Sequence, residues 1–224
     1  AAVYRNYCGE AEDCDSVPAD MWQGYRAADV FLLPEPAIIM PELDNTRATG
    51  PVARTGNADR AGLRDALSLP PRTRTVLVAL GGIESDLPLA SWPHIPDTAW
   101  LFAQPVCTQR DDMFDGTQLP MEFIDLLASC DAVLTKPGYG TYTEAVCNAV
   151  PILTLARPDW PETTGLNDWA RQHGRLLEIS QADFAGGRFT AALQALWQQP
   201  PSTPPAATGI GQAADLLAAR LVSG

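Results

Sequence analysis

The residues best suited to chemistry lie between Asp131 and Asn167. An apolar run, Ala132 to Thr135, leads into Lys136-Pro137-Gly138-Tyr139-Gly140, and a helix-like stretch follows from Thr141 to Ala149. A strand, a glycine turn and a helix in that order bring the unpaired amides of a helix start to one point. Gly138 and Gly140 allow a ligand close to the backbone, and the helix dipole favours an anion there. The same glycines could instead only shape the turn, so the pattern alone is not specific. Lys136 offers a cation, or it simply ends a strand in solvent. Glu144 has two readings. Thr141-x-x-Glu144 matches a capping box, and a carboxylate there also matches a pair of vicinal ligand hydroxyls. Arg157 could meet a phosphate or a surface carboxylate. Glu162, beside Trp160, could accept from ligand hydroxyls or stay solvated. Asn167 could be a polar ligand contact or the N-cap of the next helix.

Composition limits what such a site can serve. The chain has 224 residues and 46% apolar content, enough for one sizeable domain or one domain plus part of another. Its net charge of −12 argues against a nucleic-acid partner, whose phosphates demand clustered Lys and Arg. An anionic ligand must therefore be held by a local site that overrides the global field. Five cysteines, none in a CxxC pair, and two histidines make a zinc site or a disulfide framework improbable. Cys130 and Cys147 read as core residues of a reducing, cytoplasmic protein. No apolar run reaches membrane-spanning length.

The elements that would position these residues alternate. Thr75 to Leu80 is an almost wholly apolar run closed by Gly81-Gly82, as expected of a strand buried on both faces. Further strands are expected at Thr98 to Ala103, Ala132 to Thr135, Ile152 to Ala156 and Leu176 to Ile179. Helices are expected at Asp20 to Ala28, Asp59 to Leu67, Met121 to Cys130, Thr141 to Ala149, Asp168 to His173, Phe189 to Gln198 and Gly211 to Val222. This alternation predicts an α/β fold, a doubly wound Rossmann-like parallel sheet, with ligands beyond the carboxyl ends of the strands. Residues 1–50, interrupted by Pro34, Pro36 and Pro41, read as the end of an N-terminal domain plus a connector. Residues 51–200 read as the Rossmann-like domain, and 201–224 as a Pro-rich linker and a last helix. The absence of a leading Met suggests a portion of a longer protein or one half of a split one.

The order of parts now carries a resemblance. Gly138-Tyr139-Gly140-Thr141, Thr143-Glu144-Ala145, Val150-Pro151, Arg157 to Glu162 and Asn167 together resemble the donor half of the two-domain (GT-B) glycosyltransferases. The similarity is to the enzyme that adds N-acetylglucosamine to the peptidoglycan lipid precursor and to the glucuronosyl- and antibiotic-modifying transferases. It covers about the last three-quarters of the chain. The resemblance implies that Glu144 binds ribose hydroxyls, that backbone amides from Gly140 through Thr141 to Tyr142 hold a diphosphate, and that Glu162 and its loop face the donor sugar. Gly81-Gly82 stands where the family has its first glycine-rich loop, which makes Gly82 a further phosphate candidate. Here the family pattern breaks, because Ile83-Glu84 follows and a carboxylate beside a diphosphate repels it.

A nucleotide sugar, most simply a UDP-sugar, is thus the expected co-substrate, with no separate cofactor and no metal. A hexosyl group would pass to an acceptor that the sequence does not name. The acceptor site and catalytic base are expected from a missing N-terminal half or a partner chain. Two alternatives stay open: a sugar-nucleotide epimerase of the same fold, and a non-catalytic nucleotide-binding or dimerisation module.

Overall fold

Four successive apolar residues, Val76 to Ala79, fit only a strand covered on both faces, and all four are buried. The computed structural model describes residues 16–81 and 87–223. Its elements in chain order are α1 (Ser16–Ala27), β1 (Phe31–Pro34), β2 (Thr46–Thr49), α2 (Arg60–Ala66), β3 (Arg74–Ala79), β4 (Thr98–Phe102), β5 (Met113–Asp115) and α3 (Phe123–Ser129). Then follow β6 (Ala132–Thr135), α4 (Tyr139–Cys147), β7 (Ile152–Leu155), α5 (Thr163–His173), β8 (Leu176–Ile179), α6 (Gln181–Ala185), α7 (Thr190–Gln198) and α8 (Gly209–Ser223).

Six strands form one parallel sheet in the order β5-β4-β3-β6-β7-β8. Chain order reverses between β3 and β6, so this is a doubly wound sheet with its switch point there. Side chains alternate across it, as a two-residue period demands. Leu77, Leu101, Val133, Ile152 and Leu176 face one core, which α2 to α5 close with Leu63, Leu127, Tyr142, Ala145, Leu166 and Trp169. Val76, Val78, Trp100, Phe102, Leu134 and Leu153 face the other, closed by Trp92, Phe184, Phe189, Leu193 and Leu196. Cys130 and Cys147 are buried, as their apolar settings predict, and burial pushes their thiols up to about 12 and about 11. A partly buried anchor fixes the central pair of strands. Asp131 Oδ2 accepts from the Thr75 amide at 2.9 Å and from Arg64 Nη2 at 3.0 Å.

β1 and β2 stand apart as a two-stranded parallel sheet. From Gly50 to Asp59 the chain runs extended across α4 and α3. It is pinned by bonds from the Gly56 amide to Asn148 Oδ1 (2.9 Å), the Asn57 amide to Asp125 Oδ1 (2.7 Å) and the Asp59 amide to Ser129 Oγ (2.9 Å).

Several boundaries differ from expectation. The helix after the glycine turn starts at Tyr139, not Thr141, because Gly138 is its N-cap. α5 starts at Thr163, five residues before the expected Asp168, so Asn167 lies inside it and caps nothing. The edge strand β5, the strands β1 and β2 and the short α6 are additional to the expected set. Among the described residues no helix is long and apolar enough to cross a membrane.

Candidate functional site

The switch point opens at the carboxyl ends of β3 and β6. Thr135 Oγ1 donates to the Ala79 carbonyl at 2.6 Å and locks the two strand ends together. Beyond them lie Gly81 on one side and Lys136 to Gly140 on the other. Gly81 has φ +72°, a conformation that disfavours any side chain, and a Cβ there would lie 3.6 Å from Lys136 Cε and 3.8 Å from its Nζ. The lysine therefore folds back over the β3 loop. A cleft of about 280 Å³ sits here, lined by Leu80, Gly81, Ala103, Gln104, Phe123 and Thr141. Gly82, Ile83 and Glu84 lie outside the described residues.

The start of α4 faces the same region. Gly138 is the N-cap and supplies no side-chain cap. The amide of Tyr142 already donates to the Gly138 carbonyl at 3.2 Å. The expected set of amides therefore shifts by one or two residues: those of Tyr139, Gly140 and Thr141 have no acceptor among the described residues. The glycines here are not required by the turn itself. Gly138 has an ordinary extended backbone. A Cβ on Gly138 would come no closer than 3.8 Å to another atom, and one on Gly140 would meet nothing within 4 Å. The open space in front of these amides is a property that a ligand could use and the fold does not need.

Lys136 stands on the Gly81 side of that space, and Arg157 lies close enough to act on the lysine. Lys136 is half-buried and forms no ion pair with the described residues. Burial first, and then the charge of Arg157, lowers its pKa below the usual 10.5. Arg157 lies 4.8 Å over the Trp160 ring and likewise pairs with no described carboxylate. Like charges held near each other without a counter-ion are unfavourable unless an anion joins them.

Glu144 is 12% exposed, and its Oε1 takes Arg54 Nε at 2.7 Å. It is the sixth residue of α4. It stands three residues beyond the third helical position from which a capping box reaches the N-cap amide, so the capping-box reading is corrected. Arg54 is 58% exposed, and the pair raises its pKa. Arg54 was not among the expected site residues. Its separation of 90 residues from Glu144 left no local pattern to read. Phe123 and Gln104 escaped notice in the same way, since only the sheet order brings them beside Thr141.

Tyr142 and Asn167 go elsewhere. Their side chains are 0% and 3% exposed. Tyr142 Oη lies 2.7 Å from both Thr154 Oγ1 and Asn167 Oδ1, and Asn167 Nδ2 donates to Glu178 Oε2 at 2.8 Å. The phenol's pKa is raised, chiefly by burial. This network ties α4, β7, α5 and β8 together, and neither side chain faces the cleft. Glu162 lines a separate hollow of about 70 Å³ with Pro36, Ile38, Tyr139, Pro161 and Gly165, and accepts from Trp160 Nε1 at 3.2 Å. His94 sits with Asp111 and Asp112 at the opposite, amino edge of the sheet. Both Asp112 oxygens there accept from Arg110, at 2.9 and 2.7 Å.

Solved structures share this fold. The chain superposes on CalG4, the calicheamicin glycosyltransferase, with a TM-score of 0.53 at 16% identity, over 85% of this chain and 53% of that one. The glycotransferase of kitacinnamycin gives 0.52 at 18% identity, over 83% and 56%. The spinosyn rhamnosyltransferase SpnG gives 0.51 at 16%, over 78% and 48%. The chain has the fold of the C-terminal half of a GT-B glycosyltransferase. It spans about half the length of these GT-B relatives. No protein-family model matches the sequence, and no curated protein does.

Proposed function

We propose that this GT-B half holds the nucleotide diphosphate of an activated sugar, a UDP-sugar foremost, for transfer of a hexosyl group to an acceptor bound elsewhere. One observation carries the reading. At the switch point of the sheet, the amides of Tyr139, Gly140 and Thr141 have no acceptor among the described residues, and Thr141 lines an open cleft with Gly81. Lys136 folds back towards Gly81, and Arg157 stands near enough to Lys136 to shift it; neither cation pairs with a described carboxylate. Helix-start amides, a dipole and two cations make an anion site in a chain of net charge −12. As the bond from sugar C1 to the diphosphate oxygen breaks, its electron pair stays on the leaving diphosphate. The amides and Lys136 would stabilise that charge. The acceptor hydroxyl attacks C1 and yields its proton to a base. His94 and His173 are no candidates for that base. His94 is at the wrong edge of the sheet, and His173 lies 3.7 Å from Glu35 at the end of α5. We assign the base and the acceptor site to an N-terminal half or a partner chain.

Glu144, close to the same helix start, would accept from the ribose hydroxyls. Glu162 and Trp160 would border the sugar. Thermal denaturation with UDP, UDP-sugars and TDP-sugars tests the reading, because a ligand that binds only the native state raises the midpoint. A rise with at least one nucleotide diphosphate, and none with uridine, is the expected result. No rise with any of them at millimolar ligand overturns it.

A further inference from the structure

Arg54 is the one charged residue of the 50–59 connector that reaches the candidate site, and its placement is not that of a loose surface side chain. On one side of it, the Val52 amide donates to Tyr139 Oη at 3.0 Å and Thr143 Oγ1 donates to the Val52 carbonyl at 3.0 Å. On the other, Gly56 packs so closely on α3 that a Cβ would fall 2.3 Å from the Ile124 carbonyl oxygen. The Arg54 carbonyl itself accepts from Asn148 Nδ2 at 3.0 Å, and Ala53 is buried. With the backbone fixed before, at and after it, the side chain has one direction left, out over Glu144. It uses Nε alone there. Its two terminal amino groups bond to nothing among the described residues, and neither does Glu144 Oε2. Glu122, next to Phe123 of the cleft, adds a smaller favourable charge interaction with the guanidinium.

We propose that Arg54 is a positioning residue of the donor site. It holds Glu144 by Oε1, so that Oε2 and the free lone pair of Oε1 meet the ribose hydroxyls in a fixed plane. The proposal rests on the donor-site reading above. A carboxylate has about four acceptor directions, and one side-on arginine bond leaves the rest open. Without that bond the carboxylate samples several rotamers and loses its match to a vicinal diol. An ordinary exposed ion pair would contribute to neither affinity nor selectivity. The role also links the connector to nucleotide occupancy, since the group that fixes Glu144 stands on the segment between β2 and α2.

Titration calorimetry on this chain, wild type, Arg54→Ala and Arg54→Lys, tests it with UDP beside its 2′,3′-dideoxy analogue, which lacks the ribose hydroxyls. Wild type should favour the hydroxyl-bearing ligand by about tenfold, the scale of one hydrogen bond to a charged group. In Arg54→Ala that preference should fall towards one. The loss should come from weaker binding of the hydroxyl-bearing ligand, with the deoxy analogue unchanged. Arg54→Lys should recover part of it. A merely structural role would weaken both ligands equally, and that result overturns the proposal. So does a wild type with no preference, or an Arg54→Ala variant that keeps the full preference. Wild type that binds neither UDP nor its dideoxy analogue overturns the donor-site reading first, and the two failures are told apart by that control.

Discussion

Replacing Gly140 by alanine separates a ligand-binding glycine from a structural one. Gly140 is the second residue of α4, and a Cβ on it would meet no atom within 4 Å. Its backbone is helical and needs no positive φ. The unfolded chain of the variant has fewer states to lose, so folding should gain about 0.4–1 kcal/mol. For a chain of this size that is a rise in Tm of roughly 1–4 °C. The same methyl group stands in the space from which a phosphate oxygen would accept the amides of Gly140 and Thr141. Losing one charge-assisted hydrogen bond removes about 1.5–3 kcal/mol, a fall in affinity of roughly 10- to 150-fold. Differential scanning calorimetry and titration with UDP read the two effects on one sample. The reasoning fails if Tm falls, since the glycine is then needed by the turn. It fails equally if Tm rises and the affinity for UDP is unchanged.

Further outcomes follow from the same geometry. Glu144→Gln should lose nucleotide affinity while its Tm moves little, because an ion pair to a largely exposed arginine is worth less than about 1 kcal/mol; thermal shift with and without UDP checks both halves. Tyr142→Phe should do the reverse. It orphans Asn167 Oδ1 and removes the bond to Thr154 in the core, at a cost of about 1–3 kcal/mol, and leaves the UDP affinity as it was. Lys136 gives a pH signature. Its folded pKa is lowered by burial and by Arg157, so its charge opposes folding at neutral pH and that opposition fades as pH rises through the lowered pKa. An anion reverses the preference, so UDP binding should take up protons and weaken as pH climbs towards the ordinary lysine value of 10.5. Lys136→Met should be more stable than wild type at pH 7, bind UDP more weakly and lose this alkaline dependence.

The sheet was readable because buried parallel strands carry a nearly continuous signal: Val76 to Ala79 is apolar throughout, and Ala132 to Thr135 and Ile152 to Leu155 each hold a single threonine among apolar residues. The strands at the edges carry less of it. Met113–Asp115 is three residues long with only Met113 buried, and in Thr46–Thr49 only Thr49 is buried while Arg47 and Ala48 are exposed. The glycine turn was legible as a loop before a helix. The true start of that helix was not, since Tyr139 and Gly140 are poor helix formers that tertiary bonds hold in place. Tyr139 Oη both accepts from the Val52 amide and donates to the Glu35 carbonyl at 2.9 Å. Asn167 shows the opposite case. A polar residue near a binding loop invites a ligand role, yet its amide completes a buried network with Tyr142 and Glu178. Arg54 was invisible for a plain reason, because nothing local marks a residue whose partner is 90 positions away.

A crystal structure of this chain grown with UDP tests the central claim most directly. The account predicts the diphosphate at the start of α4, its oxygens accepting from the amides of Gly140 and Thr141 and its charge beside Lys136. A diphosphate bound instead at the amino edge of the sheet, or a nucleotide whose phosphates turn away from α4 into solvent, would contradict it.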